Sequence, residues 1–150
     1  LVKVPGLAGQ GKMGKSNGEA DCIYPSDSEI VIRKKVMRAV SDSGPTEMNQ
    51  PKPEPIQNLF DLMKVVSTSD TLQHFDDLYN RCEIRYGDFK KQLAEDMVLA
   101  TNDVRSRIEE ISNDDAYIAK VAKMGAEKAS ESARKTLREV REIIGIKRFY

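Results

Sequence analysis

The chain has 150 residues and a mass of 16.9 kDa, one domain's worth, and Leu, Ile, Val and Phe supply 35 of them, enough for a folded but rather polar protein. Two cysteines and a single histidine set aside His-based triads, zinc sites built from repeated Cys and His ligands, and disulfide scaffolds, and fit a reducing, cytoplasmic compartment. The 24 basic and 24 acidic side chains cancel overall, but residues 1–53 carry a net +2, residues 54–115 a net −7 and residues 116–150 a net +5. That balance argues against an unselective nucleic-acid coat protein and leaves two readings of the C-terminal cations, a solvated helix face or a local contact with phosphates.

The start, Leu1-Val2-Lys3-Val4-Pro5-Gly6, lacks an initiator Met and the basic and apolar regions of a signal peptide, so it reads as a cut end inside a longer chain. The longest apolar run, Met97 to Ala100, is far short of the roughly 20 residues a membrane span needs, and no transmembrane helix is expected. Residues 1–25 hold five of the nine glycines without any sustained period, which predicts a mobile loop with few apolar anchors between Gly6 and Ile23.

The first helix is expected from Ser26, whose spacing to Glu29 is that of a capping box. Ile32, Val36 and Val40 form its inner stripe; Arg33, Lys34, Lys35 and Arg38 lie on its outer face, and Ser41-Asp42-Ser43-Gly44-Pro45 ends it. Ser41, Asp42 and Ser43 are polar enough for a site, yet such residues also end helices through local backbone hydrogen bonds. Pro45, Pro51, Pro53 and Pro55 mark an extended connector. A second helix carries Ile56, Leu59, Phe60, Met63 and Val66. A third follows Thr71 with Leu72, Phe75, Tyr79 and Cys82, and its His74 reads as a partly exposed helical side chain.

The clearest amphipathic stripe runs from Asp88 to Ile111 through Phe89, Leu93, Met97, Ala100, Val104 and Ile108. Asn113 is placed to cap a fifth helix with Ile118, Val121 and Ala122, which Gly125 breaks or bends. A sixth, from Ala126 to Ile144, turns Ala126, Ala129, Ala133, Leu137, Val140 and Ile144 inward. The expected fold is all-α, about six helices after a glycine-rich loop, with no alternating strand pattern beyond residue 25. The acidic pairs Asp76-Asp77, Glu109-Glu110 and Asp114-Asp115 point in different directions from a helix and read as solvated faces.

Residues 9–16, Gly-Gln-Gly-Lys-Met-Gly-Lys-Ser, fit the G-x-x-x-x-G-K-S pattern of a nucleotide-binding P-loop. The context contradicts that reading, because a P-loop needs a buried strand before it and a helix directly after Lys-Ser. Val2-Lys3-Val4-Pro5 is too short and proline-broken for the strand, and Asn17-Gly18-Glu19-Ala20-Asp21 is a poor helix start.

Shifted by three residues, Lys12-Met13-Gly14-Lys15-Ser16 resembles the KMSKS signature of class I aminoacyl-tRNA synthetases, with Gly14 at the usual serine. Further segments follow in order: Ile32-Arg33-Lys34-Lys35-Val36, Ala39-Val40-Ser41-Asp42-Ser43, Asn58-Leu59, Tyr86 to Glu95, Gly125 to Ala129 and Thr136 to Arg141. Together they resemble bacterial-type tryptophanyl-tRNA synthetases over nearly the whole chain from Gly6.

The resemblance implies a ligase that activates tryptophan with ATP and its accompanying Mg2+, then charges tRNA(Trp), working as a homodimer. Residues 1–25 would form the loop that binds ATP phosphates, and residues 26–150 a helical domain at the anticodon end of the tRNA. The Rossmann-type domain would lie upstream, so the isolated chain should be inactive. Lys12 and Lys15 would be the catalytic cations at the leaving pyrophosphate. Ser16 and the Met13 and Gly14 amides would be phosphate donors, whereas Gly14 carries no serine hydroxyl.

Arg134, Arg138 and Arg141 flank the last apolar stripe and are candidates for tRNA phosphate, the alternative being surface pairing with Glu131 and Glu142. Rival readings are a tyrosyl-tRNA synthetase, which shares a similar loop, a P-loop NTPase fragment, and a non-enzymatic helical RNA-binding or interaction module.

Overall fold

The computed structural model describes residues 4–9 and 11–146. Val2 and Lys3, from the run before the loop, Gln10, and the basic Lys147 and Arg148 lie outside the described residues. Among the described residues five α-helices follow the loop: α1 (Glu29–Met37), α2 (Glu54–Val66), α3 (Ser69–Asn80), α4 (Tyr86–Ser112) and α5 (Asp115–Ile143). Among the described residues the only β pairing is an isolated antiparallel bridge between Pro5 and Lys12. The all-α expectation therefore holds, with five helices in place of about six.

The chain divides into two units, Leu1–Arg107 and Ile108–Tyr150. The first holds the core. Ile32 and Val36 of α1, Ile56, Leu59 and Met63 of α2, Tyr79 of α3, and Phe89 and Leu93 of α4 are all at most 1% exposed. Aromatic contacts join three of these helices: Phe60 lies 4.8 Å from Phe89 and 5.9 Å from Tyr79 between ring centroids, and Phe75 lies 5.2 Å from Phe89. Each such pair adds about 0.5–1.5 kcal/mol beyond area burial.

Helix ends differ from the sequence expectation by a few residues, and the caps explain why. Ser28, not Ser26, accepts from the Val31 amide, so α1 begins at Glu29. Thr68 caps α3 through the Thr71 amide, which leaves Thr71 inside the helix. Pro55 fits the first turn of α2, where a missing N–H leaves no intrahelical bond unmade.

In the second unit, Asp114 rather than Asn113 accepts from the Tyr117 amide at 2.8 Å, and α5 then runs 29 residues straight through Gly125. A glycine inside a helix costs only about 1 kcal/mol relative to alanine, and the Ala-, Glu- and Lys-rich flanks outweigh it. The expected fifth and sixth helices are thus one. No residue of α5 is buried; Leu137 is 49% and Val140 44% exposed. The apolar stripe expected to face inward exists as a pattern, but it is not buried within its own unit.

Candidate functional site

The signature segment is built on a short pinned stem. The Met13 amide donates to the Val4 carbonyl at 2.8 Å, and the Leu7 carbonyl accepts from the Val40 amide at 3.1 Å, just past the end of α1. Leu7 is 3% exposed, and Met13 packs against the core while its Sδ accepts from the Ile23 amide. These two apolar residues are the anchors of a segment expected to have few. Standing alone, without periodic neighbours, they gave no pattern to read.

Beyond the stem, Lys12, Lys15 and Ser16 are exposed. Lys15–Asn17 form a single 3-10 turn, closed by the Gly18 amide on the Lys15 carbonyl at 3.2 Å. Gly18 has φ +102°, a conformation that side-chain-bearing residues rarely adopt. Only this short turn follows Lys15-Ser16, with no α-helix until Glu29, in keeping with the rejection of a P-loop. The Met13 amide, expected to face phosphate, is already bonded to Val4 and is unavailable in this conformation. Gly14 is extended at φ −170°, and a β-carbon there would meet Ser16 Oγ at an ordinary 3.7 Å.

Two side chains that the sequence reading passed over hold this loop. Asp21, 2% exposed, accepts from the Ala8 amide at 2.7 Å and from Asn17 Nδ2 at 3.1 Å. Asn17 Nδ2 also donates to the Lys12 carbonyl at 3.2 Å. Between loop and α1 lies a cleft of about 520 Å3, walled by Leu7, Asn17, Asp21, Lys34 and Arg38 among others.

The outer face of α1 is less free than expected. Lys35 folds back onto Asp27 Oδ2 at 2.6 Å and the Cys22 carbonyl at 2.9 Å, with its ammonium 4.7 Å from the Tyr24 ring. Lys90 of α4 is 7% exposed and donates to the Ala39 carbonyl at 2.7 Å and Ser41 Oγ at 2.8 Å. Burial lowers the pKa of its ammonium below the usual lysine value. Asp42 Oδ1 accepts from the Gly44 amide at 2.9 Å, a helix-terminating turn. His74 is exposed, edge-on to Phe75. Among the described residues no group of three or more His, Cys, Asp or Glu is placed to hold a metal ion, and no helix is long and apolar enough to cross a membrane.

Arg134, Arg138 and Arg141 are exposed on α5. Among the described residues none of the three forms an ion pair, so Glu131 and Glu142 do not neutralise them here.

Comparison with known proteins gives a match of residues 3–101 to the family of class I tRNA synthetases for tryptophan and tyrosine. A tryptophan–tRNA ligase of Porphyromonas gingivalis is 56% identical over 146 residues, covering 97% of this chain and 44% of the relative. One of Clostridium longisporum is 33% identical over 150 residues, covering 99% and 43%. Among solved structures, tryptophanyl-tRNA synthetase from Campylobacter jejuni complexed with ADP and tryptophan superposes with a TM-score of 0.75 at 25% identity, covering 97% of this chain and 44% of its own. The chain spans less than half the length of these relatives.

Proposed function

The chain belongs to the class I tRNA synthetases of the tryptophan and tyrosine family, and from that membership we propose that it is part of a tryptophan–tRNA ligase. The enzyme would activate tryptophan with ATP, release pyrophosphate and pass the aminoacyl group to tRNA(Trp). Residues 1–25 serve the ATP phosphates and residues 26–150 the tRNA. Magnesium arrives with the nucleotide as part of the substrate. The relatives' names favour tryptophan over tyrosine. The protein works as a cytoplasmic homodimer.

The observation that carries this reading is a pair of exposed lysines, Lys12 and Lys15, on a self-closed turn whose stem is pinned to the core. When the tryptophan carboxylate attacks the α-phosphorus, negative charge grows on the departing pyrophosphate. Fixed cations there stabilise the transition state more than bound ATP. Lys15→Ala in the full-length enzyme should lower kcat of tryptophan-dependent pyrophosphate exchange by about 100-fold, while the KM for ATP rises far less. A raised KM at normal kcat would reduce the lysine to a binding role, and exchange that depends on tyrosine would overturn the choice of amino acid.

A further inference from the structure

We propose that Asp21 and Asn17 form a clamp that positions the two signature lysines, an inference that rests on the loop's reading given above. Asp21 is a carboxylate at 2% exposure without an ion-pair partner among the described residues. Burying a carboxylate is costly unless hydrogen bonds replace its water. Here the replacing donors come from the two sides of the lysine segment: the Ala8 amide before it at 2.7 Å, and Asn17 Nδ2 directly after Ser16 at 3.1 Å.

The backbone repeats the arrangement. The Asp21 carbonyl accepts from the Leu7 amide at 3.2 Å, and the Asp21 amide donates to the Gly18 carbonyl at 3.2 Å. Asn17 then bridges onward, since its Nδ2 reaches the Lys12 carbonyl at 3.2 Å. Lys12 and Lys15 thus sit on a short arc whose ends are tied through one carboxylate and one amide side chain. The carboxylate lies flat against Gly6, where a β-carbon would fall on its oxygens, so position 6 has no room for a side chain while the clamp is closed.

The consequence is electrostatic preorganisation. Cations held at fixed separation before the reaction need no reorganisation as charge moves to pyrophosphate. Asp21 and Asn17 touch no substrate in this account; they are positioning residues.

The test uses the full-length enzyme and tryptophan-dependent pyrophosphate exchange. Asn17→Ala comes first, because Asn17 is exposed and its loss spares the core. Asp21→Asn, which sets one side-chain amide against another, comes second. Each is measured alone and combined with Lys15→Ala. Either variant should lower kcat by about tenfold with the KM for tryptophan unchanged. Combined with Lys15→Ala, the joint loss should fall short of the product of the single losses by about threefold or more, because one cation that the clamp positions is gone. Strictly multiplicative losses would assign both residues to folding alone and overturn the proposal. So would a normal kcat in Asn17→Ala. A normal kcat in Lys15→Ala by itself would overturn the loop's functional reading, a result distinct from the other two.

Discussion

Arg33 on α1 and Glu95 on α4 meet in a two-pronged ion pair, Nε to Oε1 at 2.8 Å and Nη2 to Oε2 at 2.9 Å, across 62 positions of sequence. The same guanidinium reaches Glu29 at 3.0 Å. The pair is geometrically specific yet solvent-exposed, so it fixes how α1 crosses α4 more than it stabilises the fold.

The Arg33 hydrogen bond holds the Glu95 carboxyl below its ordinary value of 4.5. A depressed carboxyl contributes stability above its unfolded pKa and loses it as pH falls through the folded one. Arg33→Ala should therefore move the Glu95 titration up toward 4.5, as followed by side-chain carboxyl NMR. A Glu95 midpoint that does not move in Arg33→Ala would show that the pair does not persist in solution.

Lys90 offers a stability test. Its ammonium serves two acceptors just past the end of α1, so Lys90→Met keeps most of the stem's bulk and leaves the Ala39 carbonyl without that donor. The expected cost is about 1–3 kcal/mol in denaturant unfolding. The sign of the pH effect follows from the lowered ammonium pKa. Where the folded state has shed the proton and the unfolded chain retains it, stability rises with pH, up to the ordinary value of 10.5. Lys90→Met should flatten that rise. A variant as stable as the parent, with the same pH slope, would reduce Lys90 to a bystander.

The first four helices were legible from their periodic stripes, but only in part: Ile32, Val36, Phe89, Leu93 and Met97 are buried, whereas Val40 at 47% and Val104 at 52% are exposed and Cys82 and Ala100 face out as well. Caps were less legible: Ser26 and Ser28 both precede Glu29, and only geometry selects the one whose oxygen reaches the Val31 amide. Gly125 reads as a breaker, yet α5 runs through it, because a single glycine is overruled by strong helix formers on both sides. In the loop, Lys12 and Lys15 stood out by motif. Asp21, by contrast, holds the Ala8 amide, and Asn17 the Lys12 carbonyl; bonds to backbone atoms leave no spacing of residue types to detect.

Gly14 is where this chain departs from the signature, and the structure permits the usual residue. With φ at −170° and an ordinary distance to Ser16 Oγ, Gly14→Ser introduces neither strain nor clash. Its melting temperature should match the parent's, and its kcat for pyrophosphate exchange should equal or exceed it, since a hydroxyl is added beside Lys15, one of the two lysines proposed to meet the phosphates. A drop of about tenfold or more in kcat would mean that the extended geometry at position 14 must change during catalysis.

The last prediction concerns α5. Arg134, Arg138 and Arg141 follow at i, i+4 and i+7, each one residue beyond Ala133, Leu137 and Val140, so the basic stripe runs about 100° round the helix from the apolar one. All three are exposed and none is neutralised by a carboxylate among the described residues. A row of guanidinium groups without ion-pair partners among the described residues, on one helix, suits a phosphate backbone, while the apolar row remains for packing. Each phosphate contact releases counterions, so affinity falls with salt, and each arginine removed should lower the log–log slope by roughly 1 at most. Changing all three to alanine in the full-length enzyme should therefore weaken tRNA(Trp) binding at low salt and flatten its salt dependence, with tryptophan-dependent pyrophosphate exchange unchanged because that step needs no tRNA. If affinity and slope stay at parental values, the stripe belongs to solvent and the tRNA contacts lie elsewhere on the enzyme. If exchange falls as well, the arginines support the fold of the enzyme rather than the tRNA, and the phosphate assignment fails.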